Sequence, residues 1–283
     1  MMTQAKKAET FRALHQRDRA FILPNPWNPG TARMLAQLGF EALATTSAGY
    51  AFSRGVKDGA VGREAMLEHV AEIVAATDLP VSGDLENGYG DAPETAAETI
   101  QMAAAHGLVG ASIEDASGDD AAPIYQLAHA ADRIRAAAEA AHSLPFPFML
   151  CARAENFLHG RPDMKDTIER LQAYQEAGAD VLYAPGLTTR EEIAAVIRSV
   201  DRPVNVLVGM PGLELNLDEL SALGVRRLST GSALARAALG AFVSAAREMA
   251  DGGTFSFVPG AAQESREVAP LLEAFMAQQR ETL

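Results

Sequence analysis

Acidic residues at short spacing are the first feature of this sequence with chemical meaning. The segment Val81-Ser-Gly-Asp84-Leu-Glu86-Asn-Gly88-Tyr89-Gly90 carries two carboxylates two residues apart, and Ile113-Glu114-Asp115 carries an adjacent pair. In extended backbone, residues i and i+2 point to one face, so Asp84 and Glu86 share a side. Carboxylates gathered at one place repel each other unless a proton or a cation lies between them. An all-oxygen donor set suits a hard divalent ion, Mg2+ or Mn2+. The candidate metal ligands are therefore Asp84, Glu86, one of Glu114 and Asp115, and Asp58, the last in the glycine-flanked loop Gly55-Val-Lys-Asp58-Gly59. Any one of these acids, taken alone, reads equally well as a helix cap or a solvated group.

Other residues could complete such a site. Met149-Leu-Cys151-Ala-Arg153-Ala-Glu155 aligns Cys151, Arg153 and Glu155 on one strand face. A guanidinium fork there suits a substrate carboxylate, although an internal Arg153–Glu155 ion pair satisfies the same residues. Cys151 lies in an apolar run with no basic neighbour in sequence, which marks a core thiol rather than a nucleophile. The turn Thr45-Thr46-Ser47-Ala48-Gly49 offers small residues whose backbone N–H groups can approach an anion. Tyr89 stands beside the carboxylates as a hydrogen-bonding or catalytic phenol. His159, in Phe157-Leu-His159-Gly160, is placed as a general acid or base. Asn205 is a candidate polar contact to substrate. Gly231-Ser232 reads as an N-cap serine or as a phosphate-binding helix start. His69, His106, His129 and His142 fall in helical stretches and read as surface or satisfied groups.

These groups need a frame that brings them together. Eight short β-like runs alternate with helical stretches: Phe21–Trp27, Ala42–Ser47, Pro80–Glu86, Gly110–Asp115, Phe146–Ala154, Val181–Pro185, Val204–Gly209 and Arg226–Gly231. Most are continuous apolar runs, the mark of strands buried on both faces of a parallel sheet. Between them, Met66, Val70, Ile73 and Val74, then Ile124, Leu127, Ala131 and Ile134, then Ile193, Val196, Ile197 and Val200 repeat at helical spacing. Gly39, Gly107, Gly178 and Gly224 punctuate helix ends. Eight such units close a (β/α)8 barrel, whose active sites lie at the C-terminal strand ends. An open doubly wound sheet fits less well, because no glycine-rich dinucleotide fingerprint opens the first helix. The expected organisation is one domain over 1–283: a helical lead-in at 1–20, the barrel at 21–250, and a C-terminal loop and helix at 251–283. The stretch Asp251–Gln263 reads as loop, and Val268, Leu271, Leu272, Phe275 and Met276 form an apolar stripe.

The bulk numbers bound the function. With 24 Lys and Arg against 37 Asp and Glu, the formal charge is −13. Such a surface repels nucleic acid and anionic lipid, so neither is an expected partner, and an anionic substrate needs a local cation. A single cysteine rules out an internal disulfide and fits a reducing compartment. No signal core or membrane-length apolar run is present, and the chain reads as cytoplasmic.

Taken together, Asp84-x-Glu86-x-Gly88-Tyr89-Gly90, Ile113-Glu114-Asp115 and Ala152-Arg153-Ala154-Glu155 resemble the isocitrate lyase / phosphoenolpyruvate mutase superfamily, as do Pro24-Asn-Pro26-Trp27-Asn28 and Gly55-Val56-Lys57-Asp58. The resemblance spans about Phe21 to Ala250. It implies a barrel whose last helix is often exchanged between subunits of a dimer or tetramer, which would suit the 268–276 stripe. It implies Mg2+ held directly by Asp84 and, often through water, by Asp58, Glu86 and Glu114. It places the substrate carboxylate on Thr46–Ser47–Ala48 and the substrate oxygens against Arg153. The implied substrate is a small 2-oxo acid, and the implied chemistry breaks a C–C or P–C bond at C3 through an enolate that a metal stabilises. Two departures matter. The stretch Ala116-Ser-Gly-Asp-Asp-Ala-Ala-Pro123 stands where lyases carry a Cys-Gly-His-containing loop and where mutases and phosphonopyruvate hydrolases carry Lys and Asn. Glu86 stands where Asp is more usual. The leading expectation is a Mg2+-dependent lyase acting on a 2-oxo or 2-hydroxy dicarboxylate. The rivals are P–C chemistry and a non-catalytic 2-oxo-acid binder.

Overall fold

A computed structural model describes residues 2–281, including all of their side chains except 263–265 and 274–281. Helix α1 (Gln4–Leu14) precedes eight strand–helix units. The strands are β1 (Phe21–Leu23), β2 (Leu43–Ala44), β3 (Val81–Asp84), β4 (Gly110–Glu114), β5 (Met149–Arg153), β6 (Val181–Tyr183), β7 (Val204–Leu207) and β8 (Arg227–Ser229). All pair in parallel in the order β1-β8-β7-β6-β5-β4-β3-β2. Across the β1/β2 seam, Ala44 N donates to Pro24 O at 3.1 Å. The result is a (β/α)8 barrel. The connecting helices are α2 (Pro29–Gln37), α3 (Ser47–Ser53), α4 (Arg63–Ala75), α5 (Pro93–Ala105), α6 (Leu127–His142), α7 (Met164–Glu176), α8 (Arg190–Ser199), α9 (Leu217–Leu223) and α10 (Ala233–Arg247). A π turn (Glu248–Gly252) and α11 (Val258–Glu281) follow.

The local chemistry explains these boundaries. Asn28, Thr189 and Asn216 each close a capping box with the residue three positions on, satisfying two otherwise orphaned N–H groups. Gly224 ends α9 at φ 101°, a conformation that costs an L-residue and not glycine. Two apolar layers result. One lies between the sheet and its helices, built from residues such as Ile100, Ile113, Ile134, Leu171 and Leu182. The other fills the lower barrel, where Phe11 and Leu14 of α1 meet Phe21, Leu23, Met149, Cys151 and Val181. Helix α1 is thus the floor of the barrel.

Several sequence expectations need correction. The strands are shorter than the apolar runs. The chain leaves β2 early because Thr46 caps α3, its hydroxyl accepting from Gly49 N. Pro145 and Pro147 lack the N–H that a ladder requires, so β5 starts at Met149 rather than at Phe146. Ile124 is not helical: it bridges Ala116 in antiparallel fashion, and α6 starts only at Leu127. The stretch Asp251–Gln263 is not all loop. A π turn runs to Gly252 and α11 begins at Val258, with Pro259 in its first turn, where a missing N–H leaves no helical bond unmade. Helix α11 packs against α2 of its own chain, with Leu271 and Leu272 half-buried and Val268 exposed. The side chains of Phe275 and Met276 lie outside the described residues. Among the described residues no helix is long and apolar enough to cross a membrane.

Candidate active site

Parallel closure sets Glu114, Arg153, Tyr183, Asn205 and Arg227 side by side, each the register partner of the next from β4 to β8. This polar ring sits above the apolar floor and forms the bottom of a cavity of about 1410 Å3 at the C-terminal mouth. All eleven sequence-predicted site residues line it: Thr46, Ser47, Ala48, Asp58, Asp84, Glu86, Tyr89, Glu114, Arg153, His159 and Asn205.

Arg153 stands at the centre. Its Nη1 lies 2.9 Å from Asp84 Oδ1 and 3.0 Å from Glu114 Oε2, and its Nε donates to Glu155 Oε1 at 2.9 Å. Its guanidinium carbon is 5.2 Å from the centre of the Tyr183 ring. The Arg153–Glu155 pair does form, but as one arm of a larger cluster. Asp84 is fixed further: its Oδ2 accepts from Ser47 N and its own N–H donates to Thr45 Oγ1, both at 2.9 Å. The Ser47 hydroxyl donates to Asp58 Oδ1 at 3.1 Å. Thr45 is a site residue the sequence reading noted only as part of a turn.

The electrostatics are unbalanced. Asp84, Glu114 and Glu155 pair with one central cation, Arg153, while Asp58 and Glu86 lie near enough to feel its charge without touching it. Burial and the neighbouring charges of Asp84 and Asp58 push the Glu86 carboxyl up to about 8. Burial also raises Glu114 and Glu155 despite the opposing pull of Arg153. Asp58 is raised by burial and by Asp84. Burial works against the Arg153 charge, but Glu114, Glu155 and Asp84 more than offset it and hold the guanidinium protonated. Tyr89 is driven upward by burial and by Glu86, so its phenol keeps its proton. Glu86 Oε1 and Tyr89 Oη are both buried without a hydrogen-bond partner. Both residues have positive φ, 50° and 64°, a strained region for L-residues.

Among the described residues no three His, Cys, Asp or Glu side chains converge as a ready-made metal cage, because the Arg153 guanidinium lies between the carboxylates. The donor set still fits a hard divalent ion. It is all oxygen, it carries excess negative charge, and Glu86 Oε1 is desolvated with nothing to accept from.

Other expectations are refined here. Glu114 and Asp115, left unresolved as a pair by the sequence, part company. Glu114 faces the cavity, whereas Asp115 is buried behind it, accepting from Glu155 N, Arg170 Nη1 and the Tyr174 hydroxyl at 2.8, 2.8 and 2.5 Å. Cys151 is a buried thiol raised by desolvation, yet it does have a basic neighbour: Arg227 Nη2 reaches its Sγ at 2.8 Å across the barrel. Asn205 lines the cavity with its amide already engaged, accepting from Arg227 Nε and donating to Ser229 Oγ. Ser232 occupies the N-cap position of α10 without capping it, since its Oγ accepts from Arg236 Nε. His69 is buried and stacked on Tyr50. The loop after β4 folds on itself, with Ser117 N donating to Pro123 O and Ser117 Oγ to Ala122 O. Only Ala116 and Gly118 of that loop line the cavity, so Asp119 and Asp120 do not crowd an anion. Two rim arginines, Arg63 and Arg236, escaped the sequence reading. Each sits in a helical stretch with nothing local to mark it.

Fold and site together define a (β/α)8-barrel protein with an acid-rich cavity at the C-terminal ends of its strands. The sequence matches the family described as phosphoenolpyruvate phosphomutase over residues 11–250, and the chain belongs to it, within the isocitrate lyase / phosphoenolpyruvate mutase superfamily of enzymes. It is 34% identical over 243 residues to an uncharacterized protein of Mycobacterium tuberculosis, covering 86% of this chain and 90% of that one. It is 28% identical to an oxaloacetate decarboxylase of Chromohalobacter salexigens, covering 85% and 84%. A crystal structure described as a lyase/mutase from Burkholderia cenocepacia superposes with a TM-score of 0.88 at 64% identity, over 90% of this chain and 92% of that one.

Proposed function

We propose that this protein is a Mg2+-dependent lyase that cleaves a C–C bond in a small 2-oxo or 2-hydroxy dicarboxylate through an enolate. The observation that carries this reading is three carboxylates paired to one arginine, with Asp58 and Glu86 beside them and a desolvated, unpartnered oxygen on Glu86. Similarity to an oxaloacetate decarboxylase supports it. Asp84, Glu86, Glu114 and Asp58 would hold the ion, with Mn2+ as a substitute. Bound there, a divalent cation supplies Lewis-acid stabilisation for the charge that develops on the oxygens of a 2-oxo acid.

The remaining steps belong to this chain. The Thr46–Ser47–Ala48 turn receives the substrate carboxylate. Arg153, kept protonated by its carboxylate neighbours, donates to substrate oxygens when these displace Asp84 or Glu114 from its fork. Tyr89 retains its proton and donates from a water-poor wall. His159, the one imidazole among the described cavity residues, sits where it can carry a proton between solvent and substrate. Exposed apolar residues of α10 support assembly as a homodimer or homotetramer.

A panel of 2-oxo and 2-hydroxy acids with Mg2+, followed by NMR, tests the reading. New C–C cleavage products are expected from a dicarboxylate. Asp84→Ala should lose Mg2+ binding, with at least a hundredfold loss of turnover, while its circular dichroism stays unchanged. Unaltered Mg2+ affinity in that variant would sink the site assignment. The family match favours P–C chemistry as the second reading. Phosphate release from phosphonopyruvate, without dicarboxylate cleavage, would establish it. Oxalate binding with no turnover of any substrate would instead mark a binder.

A further inference from the structure

Arg133 of α6 is buried to 1% exposure, does not line the cavity, and forms no ion pair with a carboxylate among the described residues. A buried guanidinium has to be satisfied by something. Here its donors all go to backbone carbonyls: Nε to Asp91 O at 3.0 Å, Nη1 to Glu114 O at 3.3 Å, and Nη2 to Gly90 O at 2.8 Å and to Asn87 O. Three of these four carbonyls belong to the loop after β3, and the fourth ends β4. That loop carries Glu86 and Tyr89, among the described residues the two non-glycine positions at positive φ and the two cavity groups with buried, unpartnered oxygens. Such a backbone persists only where its surroundings over-determine it.

The surroundings of the loop do so from one side. Tyr125 stacks under the guanidinium, 4.5 Å from ring centre to carbon, and its hydroxyl donates to Asp91 Oδ1 at 2.5 Å. His129 bonds Asp91 O, and Thr99 Oγ1 donates to Gly88 O. A planar fork with five N–H groups can gather carbonyls from positions 87, 90, 91 and 114 at once; an ammonium group cannot.

We propose that Arg133 is a positioning residue: it clamps the 86–91 loop by its carbonyls and so holds Glu86 and Tyr89 in the strained conformation that points them into the active site. Its metal consequence rests on the reading of Glu86 as a ligand; the clamp itself does not. The test is Arg133→Lys, with Tyr125→Leu as a milder second variant at a half-exposed position. Hydrogen–deuterium exchange of the metal-free protein, read by mass spectrometry, should rise by about tenfold in peptides covering 85–91 and stay unchanged in the other strands. Mg2+ affinity by calorimetry should fall by about tenfold or more, as for other residues that orient a ligand from behind. A purely structural role would weaken binding additively with Glu86→Gln. A clamp acting through Glu86 predicts that the double variant binds no more weakly than Glu86→Gln alone. Native exchange at 85–91 in both folded variants would overturn the clamp, as would additive losses. If Arg133→Lys fails to fold, Tyr125→Leu decides alone, with the same loop-confined rise expected. If the unaltered protein binds no Mg2+, the metal reading falls, and the exchange measurement still decides the clamp.

Discussion

At the scale of single residues, the site is a problem in charge balance. The folded state raises Glu86 from an ordinary carboxyl value to about 8, chiefly by burial and then through Asp84 and Asp58. A raised carboxyl favours folding while protonated. That contribution is complete below the unfolded value near 4.5 and is lost as pH climbs through 8. The metal-free protein should therefore melt lower at pH 9 than at pH 6, by roughly 5 °C. Added Mg2+ should reverse this, because a ligating carboxylate must first release its proton. Affinity should rise by about tenfold from pH 6 to pH 7, with proton release visible as buffer-dependent heats in calorimetry. A flat affinity over that range would mean Glu86 takes no part. Arg153→Gln removes the one cation within reach of Asp84, Glu114 and Glu155. Stranding buried charges in this way costs about 3–5 kcal/mol, and urea unfolding in EDTA should show that loss more strongly at pH 9 than at pH 5.

At the scale of elements, the barrel depends on a helix that belongs to none of the eight units. Phe11 is fully buried at the barrel floor, with its ring edge-on to His15 and Phe21. Phe11→Ala should cost about 3–5 kcal/mol, read as an earlier urea midpoint, with little effect on substrate affinity because the polar ring lies a layer above. The sequence indicated a helical lead-in before the first strand, but it could not show that this helix plugs the barrel. The same division runs through the rest of the chain. Asp84, Glu86 and Arg153 were legible because strand periodicity fixes which side chains share a face and parallel closure brings the strand ends together, whereas Asp58 was marked by its glycine-flanked loop and Glu114 was preferred to Asp115 only through the family resemblance. Asp115 was ambiguous because adjacent residues of a strand face opposite ways, and only the register with β5 shows which one looks inward. Arg133, Arg170 and Arg227 left no trace in the sequence, because an arginine in a helix or strand looks the same whether it faces water or gathers buried carbonyls. The composition of the 116–123 loop differs from the family loop, but the sequence could not show that the loop folds on itself and leaves Asp119 and Asp120 off the cavity wall.

At the scale of the whole molecule, the described surface of this −13 protein carries an apolar tract along its last barrel helix. Leu234, Leu239, Phe242 and Val243 of α10 are exposed, with Phe242 at 68%, and Met249, Phe255 and Val258 continue the apolar tract. Residues 239, 242 and 243 share one helical face. A soluble chain rarely leaves so contiguous an apolar surface uncovered, and such patches mark sites of association. The acidic surface elsewhere opposes non-specific contact, so self-association is expected at this face. The expected state is a homodimer or homotetramer at micromolar concentration. Phe242→Glu places a charge at the centre of the patch without touching the barrel, whose walls end at the buried side of α10 around Ala235. Sedimentation velocity should then show a shift toward monomer, with the melting temperature lowered by the lost association rather than by any loss of barrel packing. A monomeric parent chain, or an unchanged oligomer in the variant, would assign this apolar face to some purpose other than self-assembly.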